Sequence, residues 1–503
     1  MMEIIHHSRI DRELESLVER IYPPRVCIDN DSCRDSTVVK VDSANKDGIL
    51  LEMVQVLTDL DLIISKSFIS SDGGWFMDVF HVTDSFGNKL IDDSLTLYIQ
   101  QALCASRGGE IWGEKQANRW KGEQARGEKT AIELTGTDGP GLLSEISAVL
   151  VELGCNATSA VAWTHNHRAA CIIHVEDAST SDPITDTIRL SHVERHLECV
   201  LEAHGETGRV RLTTSPAGRT HTERRLHQLM YADRDYEWCR ACEGESGGEH
   251  KKGCDGTHVW IGRCEEKDYW EVTVRSRDRP KLLFDTLCVL TDMNYVVFHA
   301  AIRSARSMAH QEYFVRHKDS STLPRESERQ KLTLCLIAAI ERRVSHVRAI
   351  IALGFKVLSN FIYLFIYMLE RTILQGLKID INTGNRVGLM WDVTRVFREN
   401  GLWISRVEIG TRGDKAEGSF YVTDSTGEEV NPKIVELVRK EAGGSIVAVH
   451  KSPYRMSSGS RRERKTGIEA APRFSIGSML WSQLERLSGS FGSMRSSYLD
   501  YSE

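Results

Sequence analysis

The feature that most constrains the fold of this chain is a pattern that recurs four times. Each copy has an apolar run of strand type, a polar turn with Asp or Asn, an amphipathic helix and a second apolar run. We mark the four turns by Asp47, Asp138, Asp278 and Asn385. Internal repeats are considered first, because overlooking them misassigns the whole fold. Their uneven spacing predicts separate modules with variable linkers and argues against a solenoid of constant rise.

Each copy continues beyond its second apolar run with two more strand-like stretches and another helix. Apolar residues at helical spacing, such as Leu50, Val54 and Leu57, support the helices, and period-two alternation supports the strands. The order β-α-β-β-α-β is that of the ferredoxin-like split motif. The predicted fold class is therefore α+β, with four ferredoxin-like modules joined by linkers. The 503 residues are enough for several domains.

The sequence divides at changes in composition, and modules 1 to 4 are named here by these ranges. The predicted divisions are an N-terminal segment 1–36, module 1 at 37–112, a linker 113–128, module 2 at 129–205, a linker 206–268 with a polar helix at 222–231 and a Cys/Gly-rich loop, module 3 at 269–346, an insertion 347–375, module 4 at 376–453 and a disordered Ser/Arg-rich tail 454–503.

The net charge and the cysteines indicate which partners and which cell compartment to expect. A net charge of −7 predicts no general attraction to nucleic acid or to an acidic membrane. Twelve cysteines scattered along the chain, with no apolar leader in residues 1–20, predict reduced thiols in the cytoplasm or nucleus. No P-loop or H-E-x-x-H motif occurs, and no enzyme activity and no cofactor are predicted.

Several stretches, which together span most of the chain, carry a family resemblance. They are 23–30, 48–59, 70–80, 222–237, 279–298 and 386–401 with 419–425. The modules resemble ACT domains, and their arrangement is similar to that of the plant ACT-domain-repeat (ACR) proteins. The resemblance implies a regulatory sensor of small effectors, usually amino acids, which ACT domains commonly hold at the interface of two modules.

The turn before the first helix of each module is the predicted ligand site. A helix N-terminus has unpaired N–H groups and partial positive charge, which suit a carboxylate. Glycines allow the backbone to approach a ligand closely. The Asp or Asn could meet an α-amino group or could only cap the helix. The candidate ligand-binding residues are Asp47, Gly48, Asp138, Gly139, Gly141, Asn385, Arg386 and Gly388.

The third turn, which contains Arg279 and Pro280, lacks glycine and is predicted to be structural, since Pro suits the first position of a helix. The predicted function is that of a non-catalytic, amino-acid-binding regulator. Its modules pair within one chain or between chains, because pairing removes exposed sheet edges. The alternative is an interaction scaffold that binds no metabolite. Neither hypothesis involves nucleic acid or a membrane.

Two further features were weighed. Cys239 and Cys242 have zinc-ligand spacing, with His250, Cys254, His258 and Cys264 nearby, but a tight second pair is missing, so no metal site is predicted. The segment 347–375 is apolar but is interrupted by Arg348, Lys356 and Asn360. The longest uninterrupted apolar stretch is therefore too short to span a membrane. We interpret it as translated intron; a buried or interfacial helix is the alternative.

Overall fold

The fold consists of two antiparallel sheets, each built by two of the four modules. The computed structural model describes residues 25–46, 48–72, 74–105, 129–205, 208–215, 221–237, 251–252, 256–264, 269–305, 307–318, 326–343, 377–424, 430–441 and 446–451. The insertion 347–375 and the tail 454–503 lie outside these residues. The fold is α+β, as predicted.

Modules 1 and 3 form the first sheet. Module 1 comprises β1 (Arg25–Asp29), β2 (Thr37–Ala44), α1 (Ile49–Asp59), β3 (Ile63–Asp72), β4 (Trp75–Thr83) and α2 (Asp93–Ala105). Module 3 comprises β9 (Lys251–Lys252), β10 (His258–Cys264), β11 (Tyr269–Arg277), α6 (Leu282–Asp292), β12 (Tyr295–Ala305), β13 (Met308–His317) and α7 (Glu326–Glu341). The strand order is β1-β2-β4-β3-β12-β13-β11-β10-β9.

Modules 2 and 4 form the second sheet. Module 2 comprises β5 (Lys129–Thr137), α3 (Leu142–Glu152), β6 (Cys155–His165), β7 (Arg168–Asp177), α4 (Thr187–His204) and β8 (Arg209–Ser215). Module 4 comprises β14 (Leu377–Gly384), α8 (Leu389–Glu399), β15 (Leu402–Arg412), β16 (Lys415–Asp424), α9 (Pro432–Glu441) and β17 (Ile446–Lys451). The strand order is β17-β14-β16-β15-β6-β7-β5-β8.

The fourth strand has different origins in the two sheets. In modules 2 and 4 it follows the second helix, as the βαββαβ order requires, and β8 lies within the stretch assigned to a linker. In modules 1 and 3 the predicted βαββαβ order is wrong in this respect: the same place is taken by β1 and β10, which pair antiparallel with the first strand of the module. These two strands lie before the predicted module ranges, in the N-terminal segment and the second linker. The fourth strand hydrogen-bonds to the same backbone groups of the first strand whether it comes from before the module or after its second helix. The alternation of apolar and polar residues within the module therefore does not predict which of these two segments supplies the fourth strand.

The modules of each sheet join through their second strands. In the first sheet β3 pairs with β12, with Ile69 opposite Ala300. In the second sheet β6 pairs with β15, with Ala162 opposite Val407. Each pair shares one continuous apolar core between its sheet and its helices. The edge strands β3 and β12 of one pair, and β6 and β15 of the other, are therefore paired within the chain.

One further helix lies between the two pairs. Helix α5 (Thr222–Ala232), which confirms the predicted polar helix, precedes a 3₁₀ turn at Asp235–Glu237. One side of α5 packs on β6 and β7, where Leu226 and Met230 meet Trp163, and another side contacts α6 of module 3. No helix among the residues described is long and apolar enough to cross a membrane.

Candidate functional site

The turns before the first helices share one backbone conformation. The N-cap residues Gly48, Gly141, Lys281 and Gly388 all have left-handed backbone, with φ between 64° and 84°. Three residues earlier, the N–H of Asn45, Asp138, Asp278 and Asn385 is bonded to a carbonyl of the β-hairpin of the same module. Asn45, and not Asp47, is thus the equivalent of Asp138. Asp47 itself lies outside the described residues.

The Asp and Asn side chains of these turns do not cap the helices. The N-cap residues of α1, α3, α6 and α8 are Gly48, Gly141, Lys281 and Gly388, and none of them makes a side-chain cap hydrogen bond. The capping alternative for Asp138 and Asn385 is therefore not the arrangement found. In α3 the N–H of Leu142 bonds to the carbonyl of Gly139 over 3.3 Å. The N-cap Gly141 offers no side-chain acceptor to the N–H groups that follow, and such groups at a helix N-terminus suit an anion.

A cavity open to solvent lies where the turn of module 2 meets α8 and β15 of module 4. We call it the 2–4 cavity. Three of the predicted residues, Asp138, Gly139 and Gly141, line it from module 2. Module 4 contributes Thr394, Arg398, Leu402, Trp403 and Ile404. The cavity is therefore an interface site between two modules.

The carboxylate of Asp138 is the acidic group of this cavity. Its Oδ1 accepts a hydrogen bond from Nε1 of Trp403, which belongs to module 4, over 3.3 Å. The side chain of Thr164 and the N–H of Gly139 also bond to it. Burial outweighs these hydrogen bonds and raises the pKa of Asp138 to about 7. A cation placed beside this carboxylate would favour its ionised form.

Arg398 is the basic group of the same cavity. A Cβ atom on Gly141 would lie 3.0 Å from Cδ of Arg398, so the arginine stem rests on the backbone of the turn. Gly141 is needed there because its φ of +84° also disfavours any side chain. The Arg398 side chain is exposed and makes no ion pair with any described residue. A guanidinium at this position is free to bind a carboxylate.

The remaining lining is small and mostly apolar. Gly139 is close to a second element, since a Cβ atom there would meet Nδ1 of His204 at 2.8 Å. Ser144 on α3 is 1% exposed, and its hydroxyl has no hydrogen-bond partner among the residues described. An unpaired buried hydroxyl is costly unless something in the cavity bonds to it.

A second cavity, also open to solvent, lies at the matching place in the other pair, between the turn of module 3 and α1–β3 of module 1. We call it the 1–3 cavity. Its turn is tied into the protein interior. Arg279 pairs with Asp285 over 2.7 Å and donates to the carbonyl of Ile340, and Lys281 pairs with Glu223 of α5 over 2.7 Å. These contacts support the structural role predicted for the third turn.

The other predicted residues in the described ranges, Gly48, Asn385, Arg386 and Gly388, do not line either cavity. Gly388 lies at the opposite end of the interface between modules 2 and 4, where a Cβ atom would be 3.6 Å from Cγ2 of Val151. Arg386 of the same turn pairs with Asp392 of its own helix. Gly48 has open space around its Cα. Of the eight candidates, the structure brings together Asp138, Gly139 and Gly141.

Arg398, Trp403, Thr164 and Ser144 were missed by reasoning from the sequence. Arg398 is the tenth residue of α8, where the other first helices have Thr58, Val151 and Thr291. A repeat alignment could have singled out this one charge. The alignment does not say which turn faces it, because that depends on the pairing of β6 with β15.

The structure offers no support for a metal site in its described ranges. No group of three or more His, Cys, Asp and Glu side chains that could hold a metal ion occurs there. His258 and Cys264 lie at opposite ends of β10. The other potential zinc ligands, Cys239, Cys242, His250 and Cys254, fall outside the described residues.

Comparison with known proteins identifies related sequences. Residues 32–110 match the family described as the ACR family N-terminal ACT domain, and residues 379–443 match the ACT domain. The chain is 50% identical to the Arabidopsis thaliana ACT domain-containing protein ACR1 over 98% of this chain and 100% of that protein. It is 44% identical to Arabidopsis ACR4 over 94% and 96% of the two chains. A solved putative glycine cleavage system transcriptional repressor is 14% identical, with a TM-score of 0.17 and coverage of 41% and 86%.

Proposed function

Because this chain belongs to the ACR family of ACT domain-containing proteins, we propose that it is a non-catalytic regulator that binds a free amino acid in the 2–4 cavity. The observation that carries this proposal is that one cavity is lined by an acidic side chain from one module and a basic side chain from the other. Asp138 comes from the turn of module 2, and Arg398 comes from α8 of module 4. An amino acid is the smallest metabolite that presents both an ammonium and a carboxylate to such a pair.

The two ends of the ligand would be recognised by different groups. The α-ammonium pairs with the Asp138 carboxylate, which Trp403 and Thr164 hold in place. The α-carboxylate lies at the N-terminus of α3, whose N-cap Gly141 supplies no side chain to compete. Arg398 provides a charge-assisted hydrogen bond to the same carboxylate. Such bonds are among the stronger polar contacts available to a small ligand.

Binding at this place would report the ligand's abundance through the pairing of modules. A ligand that contacts both modules stabilises their paired arrangement relative to any opened one, by an amount that grows with its concentration. The output is then the population of the paired state, which a partner protein can read. No reaction is required of the site.

The test is a thermal-shift panel of the twenty amino acids on the full chain. We expect a selective, saturable rise in Tm for one amino acid or one chemical group of amino acids. Asp138→Asn should weaken binding at least ten-fold, and so should Arg398→Thr, which installs the residue found at Thr58. Asp278→Asn, the equivalent change in module 3, is the matched control and should leave the affinity unchanged.

A flat panel would contradict the proposal and would favour the ligand-free scaffold. So would a ligand whose affinity is lowered by Asp278→Asn but not by Asp138→Asn, since that result would place binding in the 1–3 cavity. Isothermal titration with the responding amino acid measures the affinities directly, independently of any change in Tm that the variants themselves cause.

A further inference from the structure

We propose that the 2–4 cavity selects amino acids with an uncharged side chain, and that Ser144 sets the room available to that side chain. This inference rests on the proposed function and adds the chemical class of the ligand. It is drawn from the two properties of the lining that remain after the ammonium and the carboxylate of the ligand have been placed: its charge and its shape.

Charge excludes acidic and basic side chains. Among the lining residues in the described ranges, only Asp138 and Arg398 have an acidic carboxyl or a basic side chain. Both are engaged by the backbone groups of the ligand. Beside the lining, Glu145 and His204 pair with each other over 2.9 Å. The thiol of Cys171 also lines the cavity, but burial raises its pKa to about 12, so it stays neutral. A third charge on the ligand would be buried without a partner, which is strongly unfavourable.

The shape of the 2–4 cavity depends on the small side chain of Ser144. It is the third residue of α3, and the equivalent residues of the other first helices are Leu51, Phe284 and Trp391. Module 2 thus has a small side chain where every other module has a large apolar one. The surrounding wall includes Leu134, Ile146 and Ala162 from the shared core. The space freed by serine therefore opens onto an apolar surface.

The Ser144 hydroxyl is an unpaired polar group in this space. It is buried, it lines the cavity, and its oxygen has no hydrogen-bond partner in the part of the chain that the structure describes. Serines of helices commonly bond to the carbonyl four residues earlier, as Ser147 does to Leu143 over 2.6 Å. Ser144 lies too near the N-terminus of α3 for a carbonyl of the same helix, so its hydroxyl is available to a ligand.

The experiment compares neutral amino acids with charged ones of nearly the same size. Titration calorimetry on the full chain at pH 8 measures three pairs: asparagine and aspartate, glutamine and glutamate, norleucine and lysine. We expect at least one neutral member to bind, and each neutral member that binds to do so at least ten-fold more tightly than its charged counterpart. Tighter binding of any charged member would overturn the assignment while leaving the proposed function intact. Loss of all binding across the twenty amino acids would instead overturn the proposed function itself.

Two variants test the part played by Ser144. Ser144→Leu installs the side chain found at Leu51 and should weaken binding of the preferred amino acid at least ten-fold. Ser144→Ala keeps the space and removes only the hydroxyl, so it should weaken binding less than Ser144→Leu does. Both variants should keep a cooperative melting transition, and Ser144→Ala allows the test even if the larger side chain impairs folding. Unchanged affinity in a folded Ser144→Leu protein would contradict the proposed role of this residue.

Discussion

At the scale of single residues, Asp138 and Asp278 show how one position is used in two ways. Burial raises the pKa of both carboxyl groups, and each bonds to a hydroxyl of the neighbouring strand, Thr164 or Ser304. The residue that follows them differs. After Asp278 comes Arg279, whose guanidinium pairs with Asp285 in the protein interior. After Asp138 comes Gly139, which leaves the cavity open.

The pKa of Asp138 predicts a pH-dependent affinity. Because its pKa is about 7 in the folded protein and 3.8 is the usual value, the folded state holds a proton that the unfolded state loses. This group's contribution to stability is therefore present at low pH and is lost as the pH rises from about 4 to 7. A ligand ammonium needs the ionised carboxylate, so affinity should rise about ten-fold from pH 6 to pH 8. Calorimetry at both pH values checks this.

Asp138→Asn supplies the control for that dependence. An amide does not titrate, so any residual affinity of the variant should be the same at pH 6 and pH 8. A wild-type affinity that falls as the pH rises would show that the ammonium is not bound by Asp138.

At the scale of elements, α5 and the ends of α6 and α7 are joined by a buried network of charges. Asp285 of α6 accepts from Arg343 over 2.7 Å and pairs with His227 of α5, also over 2.7 Å. Burial lowers the pKa of His227, so its neutral ring accepts from Arg342 at Nδ1. Arg342 in turn makes two bonds of 2.7 Å to Asp235. Helix α5 is thus held between the pair of modules 1 and 3 and the pair of modules 2 and 4 by buried polar contacts.

Breaking one member of this network should destabilise the protein strongly. Asp285→Asn removes the charge shared by Arg279, Arg343 and His227, and a buried charge left without its partner costs about 3–5 kcal/mol. We expect a clear fall in the urea midpoint, followed by circular dichroism.

The exposed pair of Arg395 and Glu399 on α8 provides the comparison, because surface ion pairs contribute about 0–1 kcal/mol. Glu399→Gln should leave the midpoint almost unchanged. Equal effects of the two substitutions would mean that the buried network contributes little to stability.

At the scale of the whole molecule, the order of pairing decides which turns meet which helices. Modules 1 and 3 pair, and modules 2 and 4 pair, so each partner is two modules away along the chain. In this arrangement the turn of module 2 faces α8 of module 4, and the opposite turn faces Val151 on α3. The two ends of one interface therefore differ in charge, because Arg398 lies at one end and Val151 has the equivalent helix position at the other.

A cysteine cross-link tests this pairing in solution. Phe68 of β3 lies opposite Ala301 of β12, and opposed residues of antiparallel strands are close enough for a disulfide. Phe68→Cys with Ala301→Cys should give, on mild oxidation, a disulfide within one chain, identified by peptide mapping with mass spectrometry.

Each single variant is the control and should give no such peptide. A cross-link found only between two chains would mean that the first sheet forms by exchange between copies, and not within one chain.

Much of the architecture could be predicted before the structure was known. The repeated turns, the apolar period of the helices such as α1, and the polar helix α5 are local signals that propensity and periodicity carry. Among the site residues, Asp138, Gly139 and Gly141 were predicted from the chemistry of a helix N-terminus. Arg398, which lines the same cavity, was not predicted, because its place beside them depends on the pairing of strands that are far apart in sequence.

The sequence by itself determined the module, its turns and its acidic candidate, since each is set by residues close together along the chain. Only the tertiary structure decided that β1 and β10 complete modules 1 and 3 and that β6 pairs with β15. Alternating apolar residues specify which face of a strand is buried, but the backbone groups along its edge are alike in every strand. Which strand pairs with which is decided by the packing of the whole chain. That packing also places Asp138 and Arg398 in the lining of one cavity.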